Sequence, residues 1–441
     1  MGQSVSRRAK ISEFEAEIID LSHDGRGVAR REGKAVFVVG ALVGERVRAR
    51  ISHRSRSYDE AELVEVLSPS PLRVTPRCRH FDSCSGCVLQ HLDAEAQIAA
   101  KQRVLLDNLE RIGRVSPTRV LAPLTAEHWG YRRKGRLSVR WVEKKGRAVV
   151  GFRERNPRFV ADLSRCETTI PAIGERIAEI TALVDRLDIR RDIPQIEFIA
   201  GDCAVVLVFR VLQAPTESDR ASLREFAERT GLAVFLQPGG VESVNPLWPE
   251  QVDLFYTLPE FSVRIDFRPL DFIQVNEGIN RAMIARALAM LAPEPGERVL
   301  DLFCGLGNFS LPIARSGAEV VGVEGEAGLV ARARANARSN GLPAVTFHAA
   351  DLAADLGSEP WLRQGFDRVL LDPPRSGAEA VLAQLPLDGV RRIVYVSCHP
   401  GSLARDAGFL VRERGFTLVE AGVMDMFPHT AHVESIACFE R

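Results

Sequence analysis

Residues 298–310 read RVLDLFCGLGNFS, and this stretch decides the fold of the second half of the chain. It opens with an apolar run that is typical of a buried β-strand. Gly305 and Gly307 follow at once, and glycine lets a backbone turn tightly and come close to a ligand. Glu324 ends the next strand, 19 residues after Gly305, where an acid can accept both hydroxyls of a ribose. The stretch therefore predicts a nucleoside-bearing cofactor held at a strand-to-helix turn.

The alternation of strand and helix continues from about residue 280 to the C-terminus. The predicted strands are RVLDLF, EVVGVE, VTFHAA, DRVLLD and RRIVYVS, and amphipathic helices such as EAGLVARARANARSN lie between them. This alternation predicts a parallel sheet with helices on both faces, an α/β fold of the Rossmann-like type. The last residues, 415–441, predict a β-hairpin whose loop contains Pro428.

The sequence of the glycine turn distinguishes between two candidate ligands. NAD-binding turns have glycine at the third position of G-x-G-x-x-G, but Ser310 stands there. The pattern D-x-F-x-G-x-G-x-F instead resembles the first motif of class I S-adenosylmethionine methyltransferases. That resemblance implies that Asp351, which ends VTFHAAD, faces the adenine of the cofactor.

The N-terminal half has a different pattern. Residues 14–67 alternate apolar and polar side chains in short runs separated by Gly, Ser and Asp, which predicts a small, OB-like β-barrel. The proline-rich segment SPSPLRVTP (68–76) indicates a linker, and a helix is predicted from about 93 to 112, ending at Gly113. Residues 130–265 mix strands and helices and predict an α+β region.

Charge is balanced over the 441 residues but not along the chain. Lys and Arg total 58, as do Asp and Glu, whereas residues 101–158 hold 16 basic and 5 acidic residues. Such an excess suits a polyanion such as RNA, or it is a solvated basic face. The candidate phosphate contacts crowd one short stretch: Arg132, Arg133, Lys134 and Arg136.

Nothing in the sequence predicts a membrane or an export signal. No run of 18 apolar residues occurs, and the first ten residues lead into ISEFEAEIID without an apolar stretch. We therefore expect a cytoplasmic protein. In a reducing compartment its eight cysteines are expected to bind metal, do chemistry or fill the core.

Three of those cysteines lie close together. Cys78, Cys84 and Cys87 form C-x5-C-x2-C, and Cys166 follows much later. Three close thiolates and one distant thiolate favour an iron–sulfur cluster over structural zinc, which more often uses two C-x2-C pairs. Unliganded core thiols are a further alternative. Cys203 and Cys438 lie in strand-like runs and are expected in the core, and Cys304 is expected to pack.

Two predicted strands end in residues that can do chemistry. Asp372-Pro-Pro-Arg375 ends the fourth strand and Ser397-Cys398-His399-Pro400 ends the fifth, so both reach the carboxyl edge of the sheet. A cysteine beside a methyl donor suits methylation of uracil at C5, which is too weak a nucleophile to react unaided. A thiolate adds to C6, C5 takes the methyl group, and a base removes the C5 proton.

That chemistry needs a thiolate. An ordinary thiol has a pKa near 8.5 and is only slightly ionised at neutral pH, so we expect the surroundings of Cys398 to activate it. Asp372 cannot do so by charge, because a carboxylate disfavours a neighbouring thiolate. A positioning role or a cofactor contact suits Asp372 better.

Five motifs together resemble the RNA (uracil-C5)-methyltransferases across about 170 residues. They are DFIQVN (271–276), DLFCGLGNFS (301–310), LDPPR (371–375), VYVSCHP (394–400) and FPHTAHVES (427–435). The resemblance implies that Cys398 is the nucleophile and Glu434 the base. It also implies a pocket for S-adenosylmethionine and substrate lined by Gln274, Phe303, Asn308, Glu324, Asp351 and Asp372. His399 departs from the family, which commonly has Asn there.

Two related chemistries do not fit these motifs. RNA cytosine-C5 methyltransferases usually have a Pro-Cys pair after the fourth strand, where this chain has DPPR. Adenine-N6 enzymes favour an aromatic residue at the position of Arg375 and need no cysteine.

The whole chain resembles the ribosomal branch of the same family. That branch implies a [4Fe-4S] cluster on Cys78, Cys84, Cys87 and Cys166 and an N-terminal TRAM barrel. It implies a TRAM RNA-binding barrel at 1–72, a central iron–sulfur and RNA-binding domain at 73–268, and a class I methyltransferase domain at 269–441. The helix near 93–112 is expected to pack on the last domain. The expected partner of this monomer is 23S ribosomal RNA, with neither membrane nor DNA. Transfer RNA is the second candidate substrate, and a non-catalytic RNA-binding factor is the third reading.

Overall fold

The computed structural model describes residues 13–441, and the chain forms two compact units. The barrel unit contains the residues up to Phe81, Gly86–Lys101 and His429–His432. The main unit contains Asp82–Ser85, Gln102–Pro428 and Val433–Arg441. The first twelve residues of the predicted RNA-binding domain lie outside the described residues.

Six strands form the sheet of the barrel unit. They are β1 (Glu13–Glu17), β2 (Asp20–Leu21), β3 (Gly27–Arg31), β4 (Lys34–Val39), β5 (Arg46–Arg54) and β6 (Tyr58–Ser68). Their order is β1-β5-β6-β4-β3-β2. Strands β1 and β2 lie at opposite edges of this sheet but are consecutive in the chain. The residues between them bond to both edges: the Ile18 N–H donates to the Glu45 carbonyl at 2.9 Å, and the Ile19 N–H donates to the Val28 carbonyl at 2.8 Å. The sheet thus closes on itself, which confirms the predicted barrel.

The barrel interior is small and filled by small side chains. Alternate residues of each strand point inward, as a two-residue period requires. The buried set is Ile18, Ala29, Val36, Val38, Ala41, Val47, Ala49 and Ala61. Beside it, the buried carboxylate of Glu45 accepts hydrogen bonds from the Leu42 N–H at 2.8 Å and from the Arg73 guanidinium at 2.5 Å. A buried charge needs such partners because burial removes its hydration.

The elements of the main unit follow one long helix. Helix α1 (Ala94–Asn108) begins in the barrel unit and continues, in the main unit, into a π-helical turn at Leu109–Gly113. The strands are β7 (Arg119–Val120), β8 (Lys134–Val142), β9 (Arg147–Gly151), β10 (Gln195–Ala200), β11 (Val205–Arg210), β12 (Ala233–Gln237), β13 (Asn245–Trp248), β14 (Phe255–Leu258), β15 (Val263–Asp266), β16 (Arg298–Leu302), β17 (Glu319–Glu324), β18 (Val345–Ala349), β19 (Arg368–Leu371), β20 (Arg392–Ser397), β21 (Thr417–Met424) and β22 (Glu434–Glu440). The other helices are α2 (Pro171–Gly174), α3 (Ile177–Arg186), α4 (Glu217–Thr230), α5 (Glu277–Leu291), α6 (Ser310–Ala314), α7 (Ala327–Ser339), α8 (Glu379–Gln384) and α9 (Pro400–Arg412).

The first sheet of the main unit is the predicted α+β region. Its order is β13-β12-β11-β10-β8-β9, antiparallel except between β11 and β12. Helices α3 and α4 bury their apolar sides in its core, which includes Ile180, Leu183, Phe226, Ile196 and Phe209. The separate hairpin β14–β15 follows this sheet along the chain.

The second sheet carries the parallel strands predicted from the sequence. Its order is β18-β17-β16-β19-β20-β22-β21-β7. Strands β16 to β20 are mutually parallel, and β22 pairs antiparallel with both β20 and β21. The five predicted parallel strands and the terminal hairpin β21–β22 are therefore confirmed. Their apolar runs reflect burial on both faces, as helix-covered parallel sheets require.

The turn after α1 packs on this part of the molecule. The Gly113 carbonyl accepts a hydrogen bond from Arg412 of α9, and Leu109 is fully buried. Among residues 13–441, no helix is long and apolar enough to cross a membrane.

Candidate active site

The predicted site residues of the parallel sheet lie at its carboxyl edge. Each follows or ends a different strand, in the order in which the chain runs: Phe303 after β16, Glu324 at the end of β17, Asp351 after β18, Asp372 after β19 and Cys398 after β20. Parallel strands share one carboxyl edge, so these side chains surround a single crevice. Open α/β sheets bind their ligands at this edge.

The glycine turn after β16 has the backbone conformation that the sequence predicts. Gly305 has φ +55° and Gly307 has φ +91°, values that favour glycine. The Gly305 N–H donates to a carboxylate oxygen of Glu324 at 3.2 Å. A side chain added to Gly305 would enter open space. The backbone of the turn is therefore accessible to a ligand.

Two acids along this edge keep acceptor capacity. The oxygens of Glu324 accept from the backbone N–H groups of Gly305 and Glu326, the second at 3.1 Å. The exposed Asp351 accepts from the Ala353 N–H at 2.9 Å. A carboxylate can accept about four hydrogen bonds, so both retain lone pairs for ligand hydroxyls or amines.

A buried polar cluster holds Asn308. Its side-chain oxygen accepts from the Tyr256 hydroxyl at 2.9 Å and from Asn280 at 3.2 Å, and its amide donates back to Asn280 at 2.9 Å. Burial raises the pKa of Tyr256 far above its usual range, so the hydroxyl remains a donor. The sequence did not reveal Tyr256 or Asn280, because distant segments supply the three residues.

Arg133 joins this cluster to Gln274. Its guanidinium lies over the Tyr256 ring, 4.8 Å from the centroid, and its Nε donates to the Gln274 carbonyl at 2.9 Å. Burial lowers the pKa of Arg133, which is 4% exposed. This arginine positions the segment that carries Gln274 and is inaccessible to a large partner.

The predicted basic patch is therefore not a solvent-facing phosphate site. Lys134 is also largely enclosed: its Nζ donates to the Leu270 carbonyl at 3.1 Å and to that of Asp271. Arg132 donates to the Lys134 carbonyl, and the exposed Arg136 pairs with Glu197 at 2.9 Å. The predicted RNA contact is wrong for Arg133 and Lys134. The sequence shows how many charged residues a stretch contains, but it does not show which of them are buried.

Pairing between two strands places Cys398 and Glu434 together. Ser397 ends β20 opposite Ser435 of the antiparallel β22, and the Ser435 hydroxyl donates to the Ser397 carbonyl at 3.3 Å. Cys398 directly follows Ser397, and Glu434 directly precedes Ser435, so the two residues are next to each other at this end of the antiparallel pair. The charge of Glu434 acts on the Cys398 thiol, as expected for close neighbours.

The surroundings of Cys398 oppose its ionisation. Burial, together with charge repulsion from Glu434 and Asp372, raises the pKa of the thiol to about 11, although Arg375 opposes the shift. Burial also raises the pKa of Asp372 to about 7. The expectation of an activated thiol is thus wrong for the protein alone, because burial and two carboxylates outweigh the effect of one arginine.

His399 has a clear structural role next to this thiol. It is the N-cap of α9, where its Nδ1 accepts from the Ser402 N–H at 3.1 Å. Asparagine is a favoured N-cap residue because its side-chain oxygen accepts the same kind of bond. His399 therefore replaces the family's usual Asn without loss of the cap.

One further candidate lies in the DFIQVN stretch. Phe272, two residues before Gln274, is 67% exposed, which is unusual for a large aromatic side chain. An exposed ring can stack on a nucleobase. The sequence reading singled out the stretch but not this residue, because it assigned no exposure.

The cysteines divide between the two units. Cys78 and Cys87 belong to the barrel unit, and Cys84 and Cys166 belong to the main unit. All four are partly exposed, and the Cys166 sulfur accepts from the Thr169 hydroxyl at 3.2 Å. Across residues 13–441, no three or more His, Cys, Asp or Glu side chains are grouped so as to hold a metal ion.

The three remaining cysteines are Cys203, Cys304 and Cys438. Cys304 and Cys438 are buried, as expected. Cys203 is exposed, so its expected core position is wrong. It lies in the turn between β10 and β11, which a strand-like run of letters does not reveal.

The parallel sheet, its glycine turn and the acid at the end of β17 define the class of protein, a Rossmann-like methyltransferase fold. Comparison with protein families agrees: residues 126–441 match the profile described as tRNA (Uracil-5-)-methyltransferase, and residues 7–64 match the TRAM domain. The chain therefore belongs to the RNA (uracil-C5)-methyltransferase family, which confirms the resemblance found in its motifs.

Similar proteins cover nearly the whole chain. Those named 23S rRNA (uracil(1939)-C(5))-methyltransferase RlmD in Xanthomonas euvesicatoria pv. vesicatoria and Xanthomonas axonopodis pv. citri are each 65% identical over 431 residues, 97% of both chains. The crystal structure of Pyrococcus abyssi tRNA (uracil-54, C5)-methyltransferase in complex with S-adenosyl-L-homocysteine shares the fold, with a TM-score of 0.73 and 23% identity. It covers 97% of this chain and 100% of that one.

The raised pKa of Cys398 has a measurable consequence. With a pKa of about 11, roughly one thiol in ten thousand is ionised at pH 7, so alkylation of Cys398 should accelerate about tenfold per pH unit up to that pKa. Replacing Glu434 by Gln removes a repelling charge, lowers the thiol pKa and speeds alkylation at a fixed pH. Peptide mapping by mass spectrometry measures the rate, with exposed Cys203 as an internal reference.

A matched variant tests whether the effect is local. Glu413→Gln removes an exposed carboxylate beyond α9 and should leave the Cys398 rate unchanged. Equal rates in wild type and Glu434→Gln would contradict the placement of Glu434 beside the thiol.

Proposed function

We propose that the protein methylates C5 of a uridine in 23S ribosomal RNA, with S-adenosylmethionine as methyl donor. The observation that carries the proposal is the β20–β22 register, which brings a cysteine and a glutamate together at the edge that also holds the glycine turn. This chemistry needs one nucleophile and one base beside one methyl donor.

The groups that line the crevice suit S-adenosylmethionine. The open backbone at Gly305 and the carboxylate of Glu324 are suited to the ribose, and Asp351 to the adenine amine. Phe303, Asn308 and Gln274 complete the proposed binding set. Burial also raises the pKa of Asp301 to about 7, with Asp372 adding to the effect, and neighbouring buried carboxyls favour a positively charged ligand.

Cys398, Glu434 and Asp372 have different roles in the proposed reaction. Bound S-adenosylmethionine supplies an electrophilic methyl group. The Cys398 thiol transfers its proton to solvent, and the resulting thiolate adds to C6 of uracil. The electron pair of the C5–C6 double bond moves into an enolate, which makes C5 nucleophilic. After C5 has gained the methyl group, Glu434 takes the C5 proton, and the electrons of that C–H bond restore the C5–C6 double bond as the sulfur leaves. Asp372 positions the reactants, and its pKa of about 7 lets it hold a proton near neutrality.

The choice of 23S RNA follows the relatives of highest identity. Proteins 65% identical over 97% of this chain carry that substrate in their names, with position 1939. Transfer RNA is the second candidate, since the matching family profile is described by it. The TRAM barrel is proposed to add RNA affinity, and the activity is placed in the cytoplasm.

A deletion strain tests the substrate. Without this protein, 5-methyluridine should disappear at position 1939 of 23S RNA while 5-methyluridine in transfer RNA persists. Mass spectrometry of RNase-mapped fragments measures both, and wild-type protein, but not Cys398→Ala, should restore the modification. A loss confined to transfer RNA would instead support the second candidate.

The role of Glu434 is tested by trapping. Glu434→Gln leaves addition and methyl transfer possible but removes the acceptor of the C5 proton, so sulfur cannot leave readily. The variant should accumulate a protein–RNA adduct that survives denaturing electrophoresis and carries the methyl label from S-adenosylmethionine.

The double variant Cys398→Ala/Glu434→Gln is the control and should form no adduct. Full turnover by Glu434→Gln without an adduct would show that another base acts, and His429 and His432 would be tested next.

We also propose that Cys78, Cys84, Cys87 and Cys166 bind a [4Fe-4S] cluster. The support is their spacing in sequence, three close thiolates and one distant thiolate, because iron–sulfur clusters are held by cysteine thiolates. A structural role suits the cluster because the four cysteines lie outside the parallel sheet that carries the chemistry. Cys84 pairs with Glu154, so the metal would fix the segment that follows β9.

Iron content tests this second proposal. Protein purified without oxygen should be brown and contain about four irons per chain. Cys84→Ser should lose iron and weaken RNA binding while S-adenosylmethionine still binds, and the matched Cys203→Ser, at an exposed cysteine, should behave as wild type. A colourless protein containing only zinc would overturn the assignment.

A further inference from the structure

A short hairpin extends beyond β9. The Ala161 N–H donates to the Phe152 carbonyl at 2.9 Å, and the Glu154 N–H donates to the Phe159 carbonyl at 3.1 Å. At the turn, the Asn156 side chain accepts from the Arg158 N–H at 3.2 Å. We call residues 152–161 the arginine hairpin.

The hairpin carries cations that no acid neutralises. Arg153, Arg155 and Arg158 are exposed, and none of them forms an ion pair with any residue from 13 to 441. Arg140 of β8 is also exposed and donates to the Arg158 carbonyl at 2.9 Å, which adds a fourth charge beside the turn. On strand β5 of the barrel, by contrast, Arg46, Arg48 and Arg50 each pair with a glutamate.

An aromatic side chain lies among these cations. Phe159 is 52% exposed and directly follows Arg158. A hairpin with four exposed arginines in or beside it and one exposed ring matches a strand of nucleic acid, in which phosphates alternate with flat bases.

The hairpin is held in place at its base. The Arg153 carbonyl accepts from both the backbone N–H and the hydroxyl of Ser85, at 2.9 and 2.8 Å. Phe152 lies under the Arg132 guanidinium, with 5.6 Å to the ring centroid. A loop ordered before binding loses less conformational entropy when it binds.

We propose that the arginine hairpin is an RNA-binding element that grips an unpaired stretch of the substrate, with Phe159 stacked on a base and the arginines on phosphates. This rests on the proposed function, because it takes the RNA substrate as given. It assigns RNA affinity to residues 140 and 153–159 instead of Arg132–Arg136.

Binding measured against salt tests the proposal. The RNA probe is a 23S fragment containing position 1939, and the variants are Arg153→Gln/Arg155→Gln/Arg158→Gln and, separately, Phe159→Ser. The triple variant should bind at least tenfold more weakly near 0.15 M salt, and its log Kd against log salt slope should fall by about 2, roughly 0.7 per lost contact. Phe159→Ser should bind about tenfold more weakly with an unchanged slope.

Matched controls separate local from general charge effects. Arg186→Gln/Arg224→Gln/Arg229→Gln removes the same number of exposed charges from α3 and α4 and should change the affinity less than threefold. In the hairpin variants KM for RNA should rise while kcat and S-adenosylmethionine binding stay at the wild-type values, which also shows that the variants are folded.

Different results would overturn the hairpin proposal and the proposed function. If the triple variant and Phe159→Ser bind RNA with wild-type affinity and salt slope while wild type methylates the fragment, the hairpin proposal is overturned and the function stands. If wild type methylates no 23S fragment, the proposed function itself fails.

Discussion

The register between β20 and β22 is the constraint on which the site depends. Ser397 faces Ser435, and this fixes Cys398 beside Glu434 at the end of the ladder. A slip of one residue would turn every side chain of β22 to the opposite face of the sheet and break that proximity. The ladder is secured by burial, since Ile436, Ala437 and Phe439 are fully buried in β22. The chemistry therefore rests on the packing of an antiparallel strand added to a parallel sheet.

Some charged side chains of this molecule are buried, and others are exposed to solvent. Within one basic stretch, Arg133 and Lys134 act inside the protein, where they bind carbonyls and an aromatic ring, and the arginines of the hairpin extend into solvent. Around Cys398, burial of the thiol and charge repulsion from Glu434 and Asp372 raise the thiol pKa, so the thiol of the protein alone stays protonated near neutral pH.

Much of the fold follows from local pattern. The five parallel strands, the glycine turn and the terminal hairpin were predictable because apolar runs, glycines and strand-end acids repeat with short periods along the chain. The site residues of the sheet edge were predictable for a related reason, since parallel strands place their carboxyl ends together. The Tyr256–Asn280–Asn308 cluster was not, because three segments far apart in sequence meet only in the folded core.

The sequence by itself determined the class of fold, the edge of the sheet that carries chemistry, and the residue types found there, since these depend on periodicity and on covalent order. Tertiary structure alone decided which charges are buried, that Cys203 is exposed, and that the Cys398 thiol has a raised pKa. Each of those properties depends on what lies near a side chain in space. Burial and electrostatic repulsion depend on all the groups that surround a side chain in space. The linear order of residues does not show which groups those are.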